Sequence, residues 1–181
     1  TGHATDEAVR FAGASGGGLS AVLIHLIDSG TVDAIVQTTA DTDLPIGNMA
    51  VITMERAAIT AAAGSRYAPS APLEGIMAQV AAHRENGTRY AFVGKPCDAV
   101  AMRALCNRDT DIAATFPVIL SFFCAGVPSH TGGKEVLAKL GTTLEDTERV
   151  SDGVAALLYE QQEVERVLER VSFDKRHSEL G

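Results

Sequence analysis

Tryptophan is missing from this sequence, and aromatic residues together make up only 5% of it. A core without large rings must be closed by small and branched side chains, so helices and strands have to approach closely. Apolar residues nevertheless reach 46%, which excludes a disordered chain. No apolar run approaches the roughly 18 residues of a transmembrane helix. Nor does the opening Thr1-Gly2-His3-Ala4-Thr5-Asp6-Glu7 have the basic and then apolar layout of a signal peptide. Basic residues are the minority, 15 against 23 acidic, for a net charge of −8. Such a surface repels a phosphate backbone and argues against nucleic acid as a partner. A cytoplasmic protein is the expectation. Cysteine is scarce as well: three thiols, widely spaced, make no secreted disulfide framework. In a reducing cytosol they would serve burial, metal ligation or redox chemistry.

What is present is an alternation of elements within 181 residues, a length that suits one domain with a small appendage. A glycine-rich turn at 14–18 precedes a helix over 19–29, whose apolar face is read from Leu19, Val22, Leu23, Leu26 and Ile27. His25 falls near that face and reads as structural. Gly30 suits the position just beyond the helix end. A strand over 32–38, a polar turn, a second strand over 49–54 and an Ala-rich helix over 55–63 follow. Pro72 is expected in the first turn of a helix reaching 86–87. Residues 90–94 (YAFVG) form a continuous apolar run, as does 116–123 (FPVILSFF), and both read as strands buried on two faces. Helices are expected over 97–108 and 132–140.

This order predicts an α/β fold, a mostly parallel or mixed sheet flanked by helices. Ligands in such sheets bind beyond the carboxyl ends of the strands. Residues 1–150 are expected to form that α/β domain and 151–181 a helical tail. Within the tail, 154–171 places Leu157, Leu158, Val164, Val167, Leu168 and Val171 on one helical face. That face would pack on its own domain or serve a subunit contact, including one in a homo-oligomer.

Several segments could carry chemistry. Ser15, Gly16, Gly17 and Gly18 stand where free N–H groups of a helix N-terminus bind anions, although the pattern is not G-x-G-x-x-G. A flexible tight turn is the plainer explanation. Gly94-Lys95-Pro96-Cys97 ends a strand and opens a helix, a setting that lowers a thiol's pKa. Cys124 ends the second apolar strand, so the two thiols would share one sheet edge if their strands are neighbours. Cys106 lies deeper in a helix and reads as core. Between two helices, Arg66 would clamp a phosphate or carboxylate and Tyr67 stack on a ring, or the stretch is an ordinary polar connection. No H-E-x-x-H pair and no G-x-S-x-G elbow occurs, and no catalytic side chain is assigned.

The order of these segments carries a resemblance. Ala14-Ser15-Gly16-Gly17-Gly18-Leu19-Ser20-Ala21-Val22-Leu23, then Ile27-Asp28-Ser29-Gly30-Thr31-Val32-Asp33, then Ala63-Gly64-Ser65-Arg66-Tyr67, then Phe92-Val93-Gly94-Lys95-Pro96-Cys97, and finally Phe123-Cys124 resemble five motifs of the coenzyme F420 hydrogenase/dehydrogenase β-subunit family, which includes relatives of 7-hydroxymethyl chlorophyll a reductase. The resemblance implies a flavin (FAD) and iron–sulfur ([4Fe–4S]) oxidoreductase subunit. It would pass electrons or hydride between a ferredoxin-like donor and an organic acceptor such as coenzyme F420 or a chlorophyll-type molecule. It further implies that Ser15, Gly16, Gly17, Gly18, Ser65, Arg66, Tyr67 and Lys95 lie at the flavin, and that Cys97 and Cys124 are cluster ligands. Two departures stand out. Lys95 replaces a small Thr, and neither the R-G-x-G-W-P-G-like segment nor a close cysteine pair follows Phe123-Cys124. A shortened member, or one lacking an internal segment, is therefore expected. The alternative is a non-catalytic binding or assembly subunit that keeps the fold without the cluster.

Overall fold

In a computed structural model the described residues are 2–144, except Pro45, Ala125, Leu140 and Thr142. The helix expected over 154–171 lies outside them. The elements in chain order are α1 (Glu7–Ala12), α2 (Gly18–Asp28), β1 (Ala34–Ala40), β2 (Asn48–Thr53), α3 (Arg56–Ala61), α4 (Ile76–Asn86), β3 (Tyr90–Gly94), α5 (Pro96–Cys106), α6 (Thr110–Thr115), β4 (Val118–Ser121) and α7 (His130–Lys139). The strands form one mixed sheet in the order β2-β1-β3-β4, antiparallel between β1 and β2 and parallel elsewhere. This is the α/β fold expected from the alternation of patterns.

Successive side chains of a strand point to opposite faces, and here each face has its own core. Ala34 and Val36 of β1 and Tyr90 and Phe92 of β3 meet Ile76, Val80, Met102, Cys106, Ile112 and Phe116 from α4, α5, α6 and the turn after α6. On the other face Ile35, Ala91 and Val93 meet Val9, Leu23, Ile24 and Ile59 from α1, α2 and α3. Three of the scarce aromatics, Tyr90, Phe92 and Phe116, meet in the first core, where the Phe92 and Phe116 rings pack edge to face at 6.5 Å. One polar pair sits inside: Gln37 Nε2 donates to Thr53 Oγ1 at 2.9 Å, both side chains buried.

Several details differ from the sequence expectations. α4 begins at Ile76 rather than at Pro72, because Gly75 takes φ 79° and breaks any helix before it. In α2 the buried residues are Ser20, Leu23 and Ile24, while Val22 and His25 are exposed. The 116–123 run is not one buried strand. Phe116 closes α6 and is buried, β4 covers only Val118–Ser121, and Phe122 and Phe123 are exposed. Among the described residues β4 is an edge strand with β3 as its one neighbour, so it is covered on fewer sides than β3. The short helix α6 had no apolar period to announce it. It is started by Asp109, whose carboxylate accepts from the N–H groups of Asp111 and Ile112.

Candidate functional site at the carboxyl edge of the sheet

The chain leaves β1 toward β2 on one side and leaves β3 toward β4 on the other. Two adjacent parallel strands whose onward connections diverge create a crevice at their carboxyl ends, the usual ligand position in open α/β sheets. Because β2 is antiparallel to β1, its first residue Asn48 lies at this same edge, paired with Ala40, the last residue of β1.

One wall of the crevice is the start of α2. Thr31 and Val32 donate their N–H groups to Leu26 O in the tight link between α2 and β1, so the helix runs back along the sheet. Its N-terminus therefore faces the carboxyl end of β1. The preceding turn holds three successive residues in the left-handed region: Ser15 (φ 51°), Gly16 (φ 75°) and Gly17 (φ 67°). No side chain caps the helix, which leaves the first N–H groups free of side-chain acceptors. Part of the glycine content has a packing cause. A Cβ on Gly17 would collide with the carbonyl oxygen of Val9, and one on Gly16 would stand 2.8 Å from His3 Cβ. Gly18 differs, since a Cβ there would meet nothing within 4 Å.

A strap formed by residues 64–70 crosses the edge. Asn48 holds one side of it: its Oδ1 accepts from Arg66 Nε at 2.6 Å, its Nδ2 donates to Ala68 O at 2.9 Å, and its backbone N–H donates to Pro69 O. The other side is held from the turn after β3, where Lys95 Nζ donates to Ser70 Oγ at 2.7 Å. Asn48 belongs to β2 and Lys95 follows β3, so the strap passes over the exit of β1, which lies between them. Two strand spacings put that crossing at about 10 Å. Tyr67 projects from the strap, 37% exposed.

The thiols divide as expected. Cys106 is buried in the first core, and burial pushes its thiol up from the ordinary value. Cys97 and Cys124 are exposed. Gly94 pairs with Ser121 across β3 and β4, and each thiol stands three residues beyond its member of that pair. The strand adjacency on which their pairing depended is present. No group of three or more His, Cys, Asp or Glu suited to a metal occurs among the described residues. After Cys124 the chain reaches α7, whose Gly133 lies against Ile46 of the β1–β2 hairpin, with 3.4 Å from a built Cβ to Ile46 Cδ1.

Asn48, Ser70 and Asp98 are given no role by the sequence, where Ser70 only ends the 64–70 candidate segment, yet they hold the strap and the turn. Asp98 had a legible signal, an acidic residue three positions into a helix after a polar start. The other two had none. Away from this edge, a cavity of about 180 Å³ between α1, α2 and α3 is lined by Asp6, His25, Asp28 and Arg56 among others. It is below the size of ordinary cofactor sites, and Arg56 there is engaged by Asp6 and Asp28.

The fold defines an α/β protein whose sheet has its open carboxyl edge beyond β1 and β3. The chain belongs to the coenzyme F420 hydrogenase/dehydrogenase β-subunit family, whose N-terminal model matches residues 1–77 and whose C-terminal model matches residues 87–175. Among solved structures, a chain of the xenon-derivatized F420-reducing [NiFe] hydrogenase complex from Methanosarcina barkeri has the same fold, with a TM-score of 0.64 at 22% identity. That alignment covers 79% of this chain and 50% of the hydrogenase chain, so the sequence spans about half the length of that relative. No curated protein matches the sequence. No helix among the described residues is long and apolar enough to cross a membrane.

Proposed function

We propose that this chain is a flavin-binding electron-transfer subunit, accepting electrons from a redox partner protein of the ferredoxin type and delivering them to an organic acceptor such as coenzyme F420. The observation that carries this reading is the carboxyl edge of β1 and β3, toward which the start of α2, without a side-chain cap, is directed and which the Arg66–Ser70 strap crosses. Family membership supplies the chemical class. FAD, when bound, supplies the exchange between hydride and single-electron transfer. Everything else falls to the chain. The N–H groups after Gly17 would receive the pyrophosphate, the open space beside Gly18 lets a flat or anionic group approach the backbone, and Ser15 and Ser65 offer hydroxyls. Arg66, with Nε fixed on Asn48, would bring positive charge to the same anion, and Tyr67 would stack on a ring.

The thiols fit a cubane cluster poorly. An ordinary [4Fe–4S] cluster takes four thiolates, the sequence has three cysteines, and Cys106 is buried in the core. Cys97 and Cys124 would supply half a ligand set, and no electron path through a cluster is derived from this chain. That shortfall favours a second reading, a binding or assembly subunit that keeps the crevice without the cluster. Titration of the purified protein with FAD, read by the flavin visible spectrum and fluorescence, tests the first reading. Saturable binding supports it, and a folded protein that leaves FAD free in solution rejects it. Anaerobic reconstitution with iron and sulfide then separates the two readings: iron retained by wild type and by Cys106→Ser, but lost in Cys97→Ser and Cys124→Ser, favours a cluster-bearing assembly. Equal iron in all four rejects the ligand assignment.

A further inference from the structure

The resemblance implies that Lys95 lies at the flavin, and in the structure its ammonium is engaged by Ser70 and Asp98. Nζ lies 2.7 Å from Ser70 Oγ and 2.7 Å from Asp98 Oδ2, and the Lys95 and Asp98 side chains are each only 13% exposed. Asp98 Oδ2 also accepts the backbone N–H of Lys95 at 3.1 Å, which caps the start of α5. The cap needs only that N–H. The ammonium adds something else, a bond to a residue 25 positions away in the strap.

We propose that Lys95 is a positioning residue, a clasp that locks the 64–70 strap to the turn carrying Cys97, so that ligand at the strap and the state of the thiol turn report on each other. Three features support it. An ion pair this far out of solvent is screened less than a surface pair and holds its geometry. The aspartate is itself fixed by the helix start, whose dipole favours a carboxylate there. The two ends of the clasp lie next to candidate chemistry, Ser70 three residues after Tyr67 and Lys95 two residues before Cys97. A simple stability contact would join the same atoms, but it would not make ligand occupancy change the thiol.

The inference rests on the flavin reading for the nature of the ligand, so its test has one arm without flavin. In the ligand-free protein, the alkylation rate of Cys97 by iodoacetamide is followed by peptide mass spectrometry in wild type, Lys95→Met, Ser70→Ala and the double variant. The clasp predicts that each single change raises the rate constant of the Cys97 thiolate, taken from the pH dependence of alkylation so that the lost Lys95 charge is separated out, by about threefold or more, and that the double adds little, the non-additivity of residues in one network. Unchanged rates, or strictly additive effects, would overturn it. Should Lys95→Met fail to fold, Ser70→Ala removes only a hydroxyl and carries the test alone. In the second arm, FAD slows Cys97 alkylation in wild type, and Lys95→Met weakens FAD binding about tenfold or more, the worth of one charge-assisted hydrogen bond. Lys95→Arg, which keeps the charge and can reach both partners, restores part of the affinity. Wild-type FAD affinity in folded Lys95→Met and Ser70→Ala would refute the positioning role. A wild type that binds no FAD while the ligand-free coupling persists would instead remove the flavin reading and leave the clasp between strap and thiol turn standing.

Discussion

Gly17→Ala and Gly18→Ala are neighbouring changes of identical chemistry for which the structure demands opposite outcomes. Gly17 has φ 67°, and a side chain there pays roughly 1–2 kcal/mol for the left-handed conformation. Its Cβ would also drive into the Val9 carbonyl oxygen, which is backbone of α1 and cannot turn aside. Overpacking of this kind costs a further 1–3 kcal/mol or so. A total near 3 kcal/mol, at roughly 2–4 °C per kcal/mol for a chain of this size, lowers Tm by about 6–12 °C. Gly18 sits at φ −58° in α2 with open space where its Cβ would stand. Alanine favours a helix by about 0.5–1 kcal/mol over glycine, so Gly18→Ala holds or slightly raises Tm. The same methyl group enters the space proposed for the FAD phosphates, and FAD affinity falls although stability does not. Thermal unfolding followed by circular dichroism, with urea titration for the free energy, measures the first effect and FAD fluorescence the second. If Gly17→Ala costs under about 1 kcal/mol, or if Gly18→Ala destabilises as much as Gly17→Ala, the assignment of one glycine to packing and the next to ligand approach is refuted.

Thiol labelling offers a second check: a maleimide dye reacts promptly with two cysteines of the native protein, Cys97 and Cys124, and with Cys106 only after denaturation, and three fast thiols would contradict the buried placement of Cys106. In the buried Gln37–Thr53 pair, Thr53→Val strands the Gln37 amide and costs about 1–3 kcal/mol in urea denaturation, whereas adding Gln37→Leu recovers most of the loss. Asp33 is held below the usual carboxylate range by the backbone N–H of Arg89 and then by its guanidinium. The sign follows: its contribution is full above the unfolded carboxylate value near 3.9 and fades as pH falls through the depressed folded value. The Tm difference between wild type and Asp33→Asn therefore stays constant at neutral pH and closes in acid below about pH 4, and a difference that persists there would exclude this source.

The fold was legible where one rule governed a whole segment. Residues 90–94 are apolar throughout because β3 has strands on both sides and helices on both faces, and the strand has those very bounds. The run at 116–123 looked the same, but apolar content cannot tell a central strand from an edge one. Nor does it separate the buried Phe116, which belongs to a helix end, from the exposed Phe122 and Phe123. The glycine turn and the thiol-bearing turn could be found in sequence because a helix start needs special backbone or capping residues. What lies between them could not. Asn48 and Ser70 are ordinary polar residues whose partners are 18 to 25 positions distant, and no local pattern encodes a bond of that range.

That range also explains why the two matched parts of the family cannot be read as independent units. Their boundary, between residues 77 and 87, falls within α4. β1 from the first part pairs in parallel with β3 from the second, and Ala34, Val36 and Ile76 share one core with Phe92, Met102 and Phe116. The first part alone would leave β1 with one neighbour and half a core. The second alone, among the described residues, would keep β3 and β4 but lose Ala34, Val36 and Ile76 from the core around Phe92, Met102 and Phe116. The crevice divides in the same way, with the glycine turn and the strap on one side of the boundary and Lys95 and the two exposed thiols on the other. A ligand there would touch both parts, and Lys95 Nζ–Ser70 Oγ is a hydrogen bond that joins them.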